Sequence, residues 1–173
     1  ASEGIPIDFD ITEDNIIAWR WIRDAPAIGF FQQYGDFTGN VDRWHYYYLH
    51  LPCTAVIDFG SVDTALALPE ERRHEGCQIY ALHFMTPVAR NYTIDRWMHI
   101  RNTAVGDEAV AEKMDAMFKI AFDEDKAILE AIQVEEEKPK NHPPVRLAID
   151  KGSNVYRKRI DRLIKSELLQ TAE

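Results

Sequence analysis

Ala121-Phe-Asp-Glu-Asp-Lys-Ala-Ile-Leu-Glu-Ala-Ile-Gln133 is the middle of the longest periodic segment in this chain of 173 residues. Around it, apolar residues recur at Val110, Met114, Met117, Phe118, Ala121, Phe122, Ile128, Leu129 and Ile132. Advancing about 100° per residue places them on one face of a helix. Asp107 and Glu108 suit its N-terminal, dipole-positive end, which predicts a helix over 107–135. Asp123, Glu124 and Lys126 fall outside the stripe as solvated charges, but Asp125 falls near its centre. A carboxylate on a buried stripe is costly unless a cation, a metal or good hydrogen bonds compensate. Asp125 is therefore either structural, paired to a core arginine or to backbone N–H groups, or part of a functional site.

Upstream of this helix the pattern is mostly extended. Asn15 to Arg23 reads as a strand after the turn-prone Glu13-Asp14. Residues 26–40 are irregular or briefly helical and carry Phe30, Phe31, Tyr34 and Phe37 between glycines, as core or as the rim of a pocket. Val41 to Leu51 and Thr54 to Phe59 are strand-like runs broken at Pro52. Residues 61–76 are polar and suggest a loop with a short helix. Gln78 to Met85 and Tyr92 to Arg101 follow as strands joined through Pro87. After the long helix comes a Pro-rich polar connector over 135–144, then a short strand at 145–149. Ser153 is placed to cap a last helix with Val155, Ile160, Leu163, Ile164 and Leu168 inside. Strands first, then a long helix, argue for an α+β fold in which an antiparallel sheet grips the helix.

Length points to one domain spanning 1–173 with room for a sizeable core. A formal charge of −9 without a basic stripe argues against nucleic acid. Arg157, Lys158, Arg159 and Arg162 are interleaved with Asp161 and Glu167, as on a solvated helix face. No apolar run approaches the ~20 residues of a membrane helix, and no signal peptide opens the chain. Cys53 and Cys77 are expected to be free thiols in a reducing cytoplasm. The chain starts at Ala1 rather than at a methionine, so a processed start or a fragment of something longer is expected.

Asp42-Arg-Trp-His45 with His50 has the spacing of a possible two-histidine, one-carboxylate iron site. Its three consecutive tyrosines favour a strand, and there His45 and His50, five residues apart, point to opposite faces. No P-loop, GxGxxG, HExxH, GxSxG or CxxC occurs. His83 reads as a core or pocket histidine.

Three ordered segments resemble the C-terminal half of the Rieske non-haem iron oxygenases, in the branch of the vanillate O-demethylase and dicamba monooxygenase oxygenase components. The first is Asn40-Val-Asp-Arg-Trp44 followed by Pro52. The second is His83-Phe-Met-Thr-Pro87 with Arg101-Asn102 downstream. The third is Phe122-Asp-Glu-Asp125 with Leu129-Glu130, then Leu147-Ala-Ile-Asp-Lys-Gly152 and Arg159-Ile-Asp-Arg-Leu-Ile164. Together they span roughly residues 15 to 168.

The resemblance implies a helix-grip (START- or Bet v 1-like) fold and makes Asp125 the third ligand of a mononuclear Fe(II). The two histidine ligands and the Rieske [2Fe–2S] domain would lie outside this chain, which alone should bind neither group and should not turn over. The full-length protein would be a bacterial oxidoreductase that hydroxylates or O-demethylates an aromatic small molecule with O2. Electrons would come from a reductase or ferredoxin, and the assembly would be a homotrimer. Phe30, Phe31 and Tyr34 would line the substrate pocket. Where the branch often carries a substrate-facing histidine, this sequence has Ile94, with Arg96 on the same strand face. The competing expectation is a helix-grip domain that binds an apolar small molecule without metal and without catalysis.

Overall fold

The computed structural model describes residues 4–13, 15–138, 145 and 147–170. Six strands form one sheet in sequence order, every neighbouring pair antiparallel. They are β1 (Asp8–Ile11), β2 (Ile16–Ala25), β3 (Val41–His50), β4 (Thr54–Asp63), β5 (Cys77–Ala89) and β6 (Tyr92–Arg101). A short α1 (Gly29–Tyr34) bridges β2 and β3, and two 3-10 turns, Thr64–Leu66 and Glu70–Glu75, bridge β4 and β5. The long α2 (Glu108–Glu137) follows β6, and α3 (Lys151–Gln170) ends the described chain.

Alternation along each strand gives the sheet two distinct faces. Across β2 to β6, Arg20, His45, Phe59, Ile79 and Arg101 share one face, as do Ile22, Arg43, Ser61 and Cys77. This inner face receives α1 and α2: Phe30, Phe31, Cys77, Ile79, Val110 and Met114 form its buried cluster. The outer face carries Trp19, Trp21, Trp44, Tyr46 and Asp58. The segment 64–75 reaches it, with the Arg73 guanidinium 4.3 Å from the Tyr46 ring centroid.

The turn that launches α2 is held by polar clamps. Arg101 donates to the carbonyls of Thr103, Ala104 and Asp107 at 2.8–3.0 Å. The Asn102 side chain accepts from Gln78 N–H at 2.8 Å and donates to the Gly76 carbonyl at 2.8 Å. Asp107 caps the helix by accepting from the Val110 N–H at 3.1 Å, as its position predicts.

Several expectations are corrected. An unexpected strand, β1, pairs with β2. β4 continues past Phe59 to Asp63 because Gly60 admits the Trp44 ring: a Cβ there would lie 2.1 Å from Trp44 Cζ2. β5 runs through Pro87 at a register shift, where a missing N–H is tolerated. Residues 148–150 form a 3-10 turn rather than part of a strand, with Leu147 N–H donating to the Asp150 carboxylate at 2.8 Å. The α3 helix starts at Lys151, so Ser153 lies in its first turn instead of capping it. Asp14, residues 139–144 of the expected connector and Arg146 lie outside the described residues.

Among the described residues, the buried and half-buried side chains of both long helices lie in their first halves. In α3, Gly152 approaches Phe9 and the Tyr156 hydroxyl donates to the Pro52 carbonyl at 2.6 Å, but Leu163, Ile164 and Leu168 are exposed rather than inside. In α2, Val110 and Met114 are buried and Phe118 and Phe122 half-buried. Beyond them Ile128 and Leu129 are 60% and 65% exposed. Periodicity marks the apolar face of a helix but not how far the sheet follows it, and here the grip ends at Phe122.

Candidate ligand cavity

The inner face, α1 and α2 border a half-open cavity of about 190 Å³. Its apolar wall comes from Phe30 and Phe31 of α1, Phe59 of β4, and Met117 and Phe118 of α2. The rings meet edge to face, Phe31 on Phe59 at 5.8 Å and Phe59 on Phe118 at 6.4 Å between centroids. Such edge-on contacts are a favoured aromatic geometry and hold the rings in place.

Three polar residues interrupt this wall: Arg43 and His45 of β3 and Ser61 of β4. Arg43 is 7% exposed and Ser61 fully buried, yet Arg43 Nε and Ser61 Oγ have no hydrogen-bond partner among the described residues. Arg20 stands beside them on β2, paired in register with His45, and its buried Nε is likewise unmet. Neither arginine forms an ion pair with a described residue, whereas Arg23 and Arg73 both do. Burial, and then the neighbouring Arg20, push the Arg43 pKa down. Burial, followed by Arg20 and Arg43, lowers the His45 pKa to about 4, so its imidazole is neutral at pH 7. This part of the cavity wall is cationic, with acceptors in short supply.

A second polar group lies further along β5 and β6. His83 Nδ1 is 2.8 Å from an Asp95 carboxylate oxygen, and its ring meets Phe122 edge-on. His99 stacks on Phe118 with centroids 3.7 Å apart, and its buried Nε2 has no partner among the described residues. Burial, then His83, lower the His99 pKa to about 4, against a smaller opposing effect of Asp115.

The residues singled out from the sequence are distributed unevenly around this cavity. Phe30 and Phe31 line it, and Tyr34 packs behind them, its ring 4.9 Å from that of Phe30. Ile94 and Arg96 are not brought to it. Trp97 and His99 of β6 face α2 through Phe122 and Phe118, so the alternate residues Ile94 and Arg96 point to the opposite face. Asp125 is exposed on α2, three residues beyond Phe122, and is not a buried charge. His45 faces the cavity while His50, five positions on, takes the other face, so the two cannot share an ion.

Among the described residues no three His, Cys, Asp or Glu side chains gather as a metal site. The described residues therefore do not complete an iron site, to which Asp125 would bring one donor. Nor do Cys53 and Cys77 suit a [2Fe–2S] cluster: Cys77 is buried against the Thr103 hydroxyl and Cys53 lies in the turn before β4. Sequence reading passed over Arg20, Arg43, Ser61 and His99. The signal for Arg20 and Arg43 was present in strand parity, since each alternates with the tryptophans of its strand and so lies on the opposite face.

Comparison with known proteins places this geometry. The family model for the vanillate O-demethylase oxygenase C-terminal domain matches residues 1–166. Over 149 residues, or 86% of the chain, it is 32% identical to a putative iron–sulfur subunit of a toluene-4-sulfonate monooxygenase system from Comamonas testosteroni. A second such subunit from the same organism is 31% identical over the same length. The chain spans 43% of the length of each. Among solved structures, apo dicamba monooxygenase superposes with a TM-score of 0.79 at 17% identity, covering 95% of this chain and 51% of that one. The dicamba-bound form gives 0.66 at 15% identity, covering 93% and 49%. At that identity the structural likeness establishes the fold, a six-stranded antiparallel sheet with a long helix across it.

Proposed function

This chain belongs to the vanillate O-demethylase oxygenase C-terminal domain family, and from that premise we propose that it is the substrate-holding part of a Rieske-type oxygenase acting on a small aromatic compound. The observation that carries this reading is the cavity itself. It is an aromatic-walled, half-open space between sheet and α2, with a largely apolar lining that suits a small organic ligand. The names of the similar proteins also point to aromatic substrates, toluene-4-sulfonate in one case and dicamba in the other.

In this reading Phe31, Phe59 and Phe118 fix the plane of the substrate ring and keep water from its faces. Asp125 is one ligand of a mononuclear Fe(II), the two histidine ligands coming from sequence outside this chain. When bound, that iron supplies the activation of dioxygen. The electron supply, a reductase or ferredoxin and a Rieske [2Fe–2S] cluster, also lies outside this chain. A homotrimer in a bacterial cytoplasm belongs to the same proposal. No helix among the described residues is long and apolar enough to cross a membrane.

The test is to express the chain with its native upstream coding sequence, then measure iron, the EPR signal of a Rieske cluster, and NAD(P)H-dependent oxygen uptake with substituted benzenes. Asp125→Asn is expected to lower iron content at least roughly tenfold while leaving the cluster signal intact. Stoichiometric iron with full oxygen uptake in that variant would end the ligand assignment. Absence of iron and uptake in the unmutated protein, with tight binding of a neutral apolar ligand, would replace the oxygenase by a helix-grip binding module.

A further inference from the structure

The cations of α3 look scattered in the sequence, and the helix sorts them. Arg159 turns inward and donates to the main-chain carbonyls of Thr12 and Asn15. At about 100° per residue, Lys151, Lys158, Arg162 and Lys165 fall within one stripe roughly 60° wide and about 21 Å long. All four are exposed. Arg157 lies off the stripe, and Asp161 borders it. The lysines of α2 and its C-terminal cap behave differently: Lys119, Lys126 and Lys138 each pair with an acid three or four residues away, at 2.5–2.7 Å. None of the four on α3 forms an ion pair with a described residue, although Asp161 lies three residues from Lys158 and four from Lys165. On a chain of net charge −9, this stripe is a local field of the opposite sign. Leu169, 73% exposed, continues it at the C-terminal end.

We propose that the face of α3 carrying Lys151, Lys158, Arg162 and Lys165 is the docking surface for an acidic electron-donor protein. The proposal rests on reading this chain as part of an oxygenase, which a partner must reduce. Charge complementarity sets the sign of the partner. Screening sets its size: exposed charges more than about 8–10 Å apart hardly interact at physiological salt. A small partner on α3 therefore meets the stripe and not the net charge of the whole chain, whereas a membrane plane or a long polyanion meets both. A stripe of this length suits the small, transient contacts of redox partners, in which charge steers the encounter. The exposed Leu169 beside the cations favours a folded protein, whose interfaces set apolar contacts within a polar rim, over nucleic acid, which presents phosphates. Each encounter passes one electron from the partner's reduced centre to an acceptor outside this chain. The partner is oxidised by one electron, and no bond forms or breaks.

The probe is an acidic plant-type [2Fe–2S] ferredoxin. Its binding is measured by calorimetry on the chain and on the protein carrying its native upstream sequence, and by amide NMR on the chain. Amide shifts are expected along the exposed stripe of α3, with affinity falling roughly tenfold or more between about 20 and 200 mM salt. The combined variant Lys158→Glu, Arg162→Glu, Lys165→Glu should bind at least roughly tenfold more weakly, because like charges then face each other. Lys158→Arg with Lys165→Arg should bind like the parent, since the charge is kept. In the longer protein, reduction of the Rieske cluster by reduced ferredoxin should slow by the same factor in the triple variant. Reduction by a photoreduced deazaflavin should not change. Binding unaltered in the triple variant, binding insensitive to salt, or tighter binding of the chain to phosphatidylglycerol vesicles or duplex DNA than to ferredoxin would overturn the docking surface. Ferredoxin binding through the stripe in a longer protein with neither cluster nor iron breaks the oxygenase reading and leaves an acidic-partner surface. A cluster reduced equally fast in the parent and the triple variant breaks the docking surface alone.

Discussion

The two faces of this sheet are built from alternate residues of the same strands, yet they treat buried charge in opposite ways. On the outer face Asp58, fully buried, accepts from Trp44 Nε1 at 2.8 Å, Arg73 Nε at 2.8 Å and Gln78 Nε2 at 2.7 Å. Asp42 accepts from Arg23 at 2.9 Å, from the Asp24 N–H at 2.9 Å and from the Thr64 hydroxyl at 3.0 Å. Burial alone would raise the Asp42 pKa, but these donors outweigh it and hold the carboxyl below its usual range. On the inner face lie all four buried side-chain atoms that lack a partner among the described residues: Arg20 Nε, Arg43 Nε, Ser61 Oγ and His99 Nε2. The outer face is finished as protein. The inner face is left short of acceptors around the cavity, which a stable core avoids.

The largest test of this contrast lies on the outer face. Asp58→Ala leaves Arg73, Trp44 Nε1 and Gln78 without their common acceptor. The expected loss is about 3–5 kcal/mol in chemical denaturation, because a half-buried guanidinium loses its partner. Asp58→Asn should recover only part of it, since the amide can accept from Trp44 but cannot neutralise Arg73. A loss below about 1 kcal/mol for the alanine variant would show that the outer network is ornamental.

The next effect belongs to the inner face and is read in pH. The imidazoles of His45 and His99 titrate near 6.5 when unfolded and at about 4 when folded. Between those values the unfolded chain binds more protons than the native one. Stability is therefore complete above pH 6.5 and declines as the pH falls toward about 4. Allowing for partial solvent screening, the decline should total roughly 1–2 kcal/mol. Denaturation midpoints at several pH values would measure it, and His45→Gln with His99→Gln should flatten the slope. A stability that rises on acidification over that window would mean these imidazoles are protonated in the fold, and burial would not be what governs charge on the inner face.

Much of the architecture was legible because its signals are local. Aromatic and β-branched runs mark β2, β3 and β6, Asp107 marks the start of α2, and parity alone separates His45 from His50. The misses share a physical cause. The extension of β4 depends on Gly60 meeting Trp44 from the neighbouring strand, and the end of the grip at Phe122 depends on how far the sheet follows the helix. Ile94 and Arg96 follow from analogy of position, which carries no information on which residues of β6 meet α2. The charged part of the cavity needed pairing to be visible. Arg20, Arg43 and Ser61 lie on three strands, and only the register of β2, β3 and β4 brings them together. A single sequence shows each as an unremarkable polar residue in a strand.

The smallest expected effect decides most about the comparison. If Arg43 were a structural cation like Arg73, replacing it would cost several kcal/mol. If it is held in place for a ligand, its charge contributes nothing favourable to the ligand-free fold, being desolvated and repelled by Arg20. Arg43→Met keeps much of the length and apolar stem that pack in the wall while removing the unpaired charge. Its stability without ligand should then fall within about 1 kcal/mol of the parent, or exceed it, as when a buried ion is replaced by a well-packed apolar side chain. Urea denaturation of the ligand-free parent and of the variant separates the possibilities. A loss of about 3 kcal/mol or more in the ligand-free variant would place Arg43 with the outer-face arginines and remove the distinction between the two faces.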